Sequence, residues 1–135
     1  MVQKISETKS NVLINNQINQ IIDLINLGNF KDALILGQSL EESSKNNPDV
    51  LSIMGMLTVE LGAHEDAVRY FRKVVKIRPN CALSSYNLAN SLNSTGRQEA
   101  AISSYKQAIR NKRNYAEAHY ALGNVYSSVS NYKKA

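Results

Sequence analysis

The chain has 135 residues, of which 43% are hydrophobic and 20% charged, with a net charge of +5. These values suit one ordinary soluble domain and argue against a membrane span, because no run approaches 18 apolar residues. Cys81 has no second cysteine to pair with and MVQKISETKSNV lacks the apolar core of a secretory signal, so a reducing, cytoplasmic setting is expected.

In chain order, residues 1 to about 10 are polar and aperiodic and read as a loose lead-in, with 1–13 set apart from the periodic remainder of the chain. From about Asn11 to Leu27 a broad apolar face (Leu13, Ile14, Ile18, Ile21, Ile22, Leu24, Ile25) predicts a helix. Gly28 closes it, and a second helix runs from about Phe30 to Ser44. Asn46-Asn47-Pro48-Asp49 is a turn and helix start. Helices come next at about 49–61 and 64–77, parted by Gly62, and at 82–95 and 97–112, parted by Gly96. From 116 the chain reads AEAHYALGNVYSSVSNYKKA. That predicts a helix, a turn at Ser130, and the opening residues of a further helix, so the sequence reads as cut within a unit.

The units repeat every 34 residues: Gly28, Gly62 and Gly96 are in step, as are Ala33, Ala67 and Ala101. Leu51, Met54, Gly55 and Thr58, then Ala67, Phe71 and Pro79, fit a known two-helix pattern, and the chain resembles the tetratricopeptide repeat (TPR) family. The resemblance implies an all-α, right-handed superhelical solenoid of antiparallel helix pairs. Its repeats would be 14–47, 48–81 and 82–115, with a truncated fourth at 116–135.

Counting positions from the start of each repeat, 4, 7, 8 and 11 share one helical stripe. In the third repeat these are Ser85, Leu88, Ala89 and Leu92; in the fourth, His119, Leu122, Gly123 and Tyr126. Small residues at position 8 (Gly55, Ala89, Gly123) should admit the aromatics at position 24 (Phe71, Tyr105), with Ala33, Ala67 and Ala101 small at position 20. The first repeat departs, with Ile21 at position 8 and Gly37 at position 24.

The residues that could do chemistry are few. His64 and His119 lie far apart without further ligands, Cys81 stands outside any motif, and Glu41-Glu42 and Glu65-Asp66 read as solvated charge. No phosphate-binding loop is present, so no metal, no cofactor and no enzymatic activity are expected of this chain.

A binding surface is the stronger reading. In the family the stripe at positions 2, 5, 6, 9, 12 and 13 of each first helix lines a concave groove. Here it carries Ser52, Met56 and Glu60, then Tyr86, Asn87, Asn90, Asn93 and Ser94, then Tyr120, Asn124, Ser127 and Ser128. Asparagine amides can donate to and accept from an extended peptide backbone, and tyrosines can anchor its side chains. Arrays that clamp a chaperone's terminal carboxylate place cations at positions held here by Ser52, Glu117 and Ala121 and asparagines at those of Met56 and Asn87, and only Asn87 fits that pattern. AEAHYALGNVY with Asn87, Asn90 and Asn124 is similar instead to the superhelical arrays of O-GlcNAc transferases, although Ile53 and Ala121 interrupt the asparagine ladder.

The expected partner is therefore a protein or peptide. The rival readings are the recruiting part of a larger glycosyl- or sulfo-transferase and a self-associating scaffold, with a homodimer through the C-terminal edge. Arg72, Lys76 and Arg78 recur as Lys106, Arg110 and Lys112 and should form a basic ridge. No aromatics interleave with them as nucleic-acid binding would favour, so a solvated outer face is the simpler account.

Overall fold

The computed structural model describes residues 2–134, with side chains over 9–131. Among these residues there are seven helices and no strand: α1 (Val2–Asn26), α2 (Phe30–Ser43), α3 (Pro48–Glu60), α4 (His64–Ile77), α5 (Ala82–Ser94), α6 (Gln98–Asn111) and α7 (Ala116–Lys134). Each helix packs on the next in sequence, and α1 also reaches α3. The interior is a succession of local clusters: one joins α1, α2 and α3, and another joins α4, α5, α6 and α7. This is the all-α repeat solenoid that the spacing predicts.

The three corners within helix pairs are built alike. Gly28, Gly62 and Gly96 have φ of +78°, +75° and +83°, and a Cβ on any of them would meet nothing within 4 Å. Glycine is there for the left-handed backbone and not for space. That backbone lets the following amide reach back five residues, from Asn29 to the Leu24 carbonyl (2.8 Å), Ala63 to Thr58 (2.8 Å) and Arg97 to Leu92 (2.9 Å). Between pairs, Asn46 takes φ +63° and Asn47 caps α3, its side-chain oxygen accepting from the amides of Asp49 (3.0 Å) and Val50 (3.3 Å).

Close packing obeys the predicted small-against-large rule. A Cβ on Gly55 would stand 2.7 Å from the Phe71 ring, and Ala89 is fully buried in the cluster that holds Tyr105. Ala33, Ala67 and Ala101 are each 0% exposed. The first repeat's two departures are both accommodated: Ile21 is fully buried in α1, and Gly37 leaves room for Met54, whose sulfur a Cβ there would strike.

Two expectations need correction. The opening residues are not a loose lead-in, since α1 begins at Val2 and runs unbroken to Asn26. Nor is there a turn at Ser130, because α7 is continuous from Ala116 to Lys134. The second correction has its cause in backbone chemistry: serine at that position lacks glycine's access to positive φ, and the helix carries on through it.

Candidate functional site

Two adjoining clefts run across α1, α3 and α5. The first lies between α1 and α3, lined by Asn15, Ile18, Asn19, Ile22, Asp49, Ser52, Ile53 and Met56. The second encloses about 160 Å³ where α3, α4 and α5 meet, and Met56 belongs to both. Its walls are Met56, Val59 and Glu60 from α3 and Asn87, Asn90, Ser91 and Ser94 from α5; His64 and Phe71 come from α4. The first helices of successive repeats therefore present one grooved face, with apolar and amide side chains interspersed.

The structure sorts the residues assigned to this groove. Ser52, Met56, Asn87 and Asn90 line the two clefts. Asn93, Tyr120, Asn124 and Ser127 are exposed on α5 and α7 and line neither cleft. Tyr120 is 76% exposed, as an anchor awaiting a partner would be.

Tyr86 is not free to act as an anchor. Its ring lies 6.0 Å from that of Tyr105 and 5.0 Å from that of Tyr115, and it packs against two of the buried clusters. Asn90 is also partly engaged, because its side-chain oxygen accepts from the Tyr105 hydroxyl. That hydroxyl is pushed up to about 12, first by burial and then by the neighbouring Tyr86.

The fourth repeat's packing stripe also needs correction. His119, Gly123 and Tyr126 are exposed, and α7 buries Ala118 and Val125 instead. These stand at positions 3 and 10, the face that meets the preceding helix α6, whereas position 8 is the one that in α3 (Gly55) faces the helix that follows. A Cβ on Gly123 would accordingly meet nothing within 4 Å. Leu122 remains half-buried.

Ser91 and His64 belong to the second cleft although the groove stripe does not include them. Ser91 is 2% exposed, and among the described residues neither its Oγ nor His64 Nδ1 has a hydrogen-bond partner. A comparison at the 34-residue period holds the signal for Ser91: the equivalent residues are Leu57 and Val125, both buried and apolar. Phe71, assigned to packing, also contributes its ring to the cleft.

The basic residues on the outer side are only partly free. Arg78 pairs with Asp49 at 2.8 Å, Lys112 lies 4.8 Å from the centroid of Tyr115, and Lys106 lies 5.8 Å from that of Tyr126. Further ties span neighbouring repeats. Arg97 reaches Glu65 (2.9 Å), the Asn111 amide donates to the Pro79 carbonyl (3.1 Å), and the Tyr70 hydroxyl donates to Glu41 (2.7 Å). Burial and then the Glu41 bond push Tyr70 up to about 12.

Stacked helix pairs with a grooved face define a helical-repeat array, a fold that serves as a protein-interaction module. The chain belongs to the tetratricopeptide repeat family: a tetratricopeptide repeat model matches residues 48–81 and a TPR repeat model matches 89–130, together more than half its length. Over 89 residues it is 28% identical to a peroxisomal targeting signal receptor from Candida glabrata, covering 66% of this chain and 15% of the receptor.

Among solved structures, a MamA protein matches with a TM-score of 0.80 at 25% identity, over 86% of this chain and 63% of that one. An O-GlcNAc transferase from Thermobaculum terrenum matches with a TM-score of 0.77 at 23% identity, over 85% of this chain and 22% of that one. The likeness to the transferase is one of fold. The chain spans less than two thirds of each of these relatives.

Proposed function

We propose that the face formed by α1, α3, α5 and α7 binds an extended segment of a protein partner, without catalysis. The observation that carries this is the continuity of the two clefts through Met56, with Asn19, Ser52, Asn87 and Ser94 offering hydrogen bonds above an apolar floor. An extended backbone presents unpaired donors and acceptors at regular intervals, and amide side chains can match both. The yeast relative is by name a receptor for a targeting signal, and recognition of that kind suits a groove.

A terminal-carboxylate ligand is disfavoured in this reading, since among the described residues no lysine or arginine lines either cleft. In this reading the exposed Tyr120 and Asn124 would carry the binding surface onto α7. The test is peptide display and then affinity measurement on a selected peptide. Asn19→Ala with Asn87→Ala should weaken binding about tenfold or more, since each lost hydrogen bond contributes roughly 1 kcal/mol. Unchanged affinity in a folded variant would refute the groove. Asn90 is left intact in this test because of its bond to Tyr105.

A second reading rests on α7. Tyr126 is 42% exposed, Tyr120 is 76% exposed, and the space beside Gly123 is open, so this edge suits a second copy of the chain. Sedimentation over a range of concentrations should show a dimer that Tyr120→Ser with Tyr126→Ser dissociates. A monomer at every concentration would rule this reading out.

A further inference from the structure

We infer that the cleft between α3, α4 and α5 is a specificity pocket for one cationic side chain, arginine or lysine, of the bound segment. This rests on the groove reading above and adds what the groove selects. The cleft's one formal charge is Glu60, which forms no ion pair among the described residues. Four other acids are engaged, Asp49 with Arg78, Glu65 with Arg97, Asp66 with Arg69 and Glu41 with Tyr70, and of the remaining acids among the described residues only Glu60 lines this cleft. In the same cleft Ser91 Oγ and His64 Nδ1 lack partners among the described residues, and Asn87 and Ser94 add further oxygens. Met56 (49% exposed), Val59 (37% exposed) and the Phe71 ring supply apolar surface for an aliphatic stem. A long stem ending in a charged, multi-donor head fits both kinds of wall.

The two polar residues that would hold the head are unfavourable for the unliganded fold. Ser91 occupies a position that is apolar in the repeats on either side, Leu57 and Val125, and buries an unsatisfied hydroxyl. Glu60 places negative charge at the last residue of α3, where the helix dipole disfavours it. A ligand head that donates to both would relieve both.

The experiment is random-peptide display on the whole chain and on two variants, Ser91→Ala and Glu60→Gln, with thermal melting of each. For the wild-type chain, bound peptides should share arginine or lysine at one position, and replacing that residue by norleucine should cost about tenfold or more in affinity. Glu60→Gln should abolish the preference. Ser91→Ala should weaken the peptide several-fold while leaving the melting temperature equal or higher, a combination that a merely structural serine would not produce. If peptides are selected without a cation preference, or if both variants keep it, the pocket assignment is wrong and the groove stands. If no peptide is selected, the groove reading fails and this inference fails with it.

Discussion

Glycine has two separate uses in this chain, and substitution should tell them apart. At Gly62 the demand is conformational: φ is +75° and an added methyl would meet nothing. Gly62→Ala should therefore cost about 1–2 kcal/mol, the penalty of a side chain in the left-handed region, and no second-site change in packing should restore it. At Gly55 the demand is space, with the Phe71 ring 2.7 Å from a new Cβ. Gly55→Ala should cost roughly 1–3 kcal/mol through overpacking, and Phe71→Leu should recover part of it. Urea denaturation of each glycine variant, alone and combined with Phe71→Leu, measures both, and equal rescue at the two positions would show that the distinction is false. The thiol of Cys81 offers a third check. Burial pushes it up, but the nearby Ser84 hydroxyl, the Ser84 and Leu83 amides and the charge of Arg78 favour the thiolate and bring it down from its usual value. Half-exposed, it should alkylate faster than a free thiol at neutral pH, and Ser84→Ala should slow it.

Between helices, tyrosine hydroxyls make titration visible in stability. Tyr70 joins α4 to α2 through Glu41, and Tyr105 joins α6 to α5 through Asn90. Both are pushed up to about 12 from an ordinary value of 10. A raised value in the folded state means the native chain holds its proton more tightly than the unfolded one. The resulting stability is fully present below pH 10 and is lost as pH rises from 10 through 12. The melting temperature should fall over that window, and less steeply in Tyr70→Phe. An unchanged slope in the variant would deny the Tyr70–Glu41 contact any part in it. The helix boundaries carry a related point. The corners at Gly28, Gly62 and Gly96 were legible because a single residue type governs them, whereas α7 runs through Ser130 because that residue is missing.

For the molecule as a whole, nearest-neighbour packing means that stability should be local. Each cluster draws on adjacent helices, so Ala101→Leu in α6 should cost roughly 1–3 kcal/mol, mostly in amide protection of α5, α6 and α7, while exposed Ser103→Leu should be near neutral. Hydrogen exchange measures this by helix, and uniform loss across α1 to α7 would contradict it. Period, corner glycines and small-large pairs were readable from the chain because they depend on backbone conformation and side-chain volume, which residue identity carries directly. Placement of the groove residues was readable only in part. Ser52, Met56, Asn87 and Asn90 line the clefts as the family resemblance implies, but Tyr86 is drawn into a stack with Tyr105 and Tyr115. No spacing within one helix predicts that, because the competing partners come from other elements. The seating of Met54 against Gly37, and the unpartnered Ser91 in the cleft with Glu60, likewise exist only once helices from different repeats are brought together. The repeat and its turns are local, so the order of residues along the chain is enough to set them. Which polar side chains the fold occupies, and which stand open to a partner, depends on neighbours distant in the chain and is set only when the helices pack.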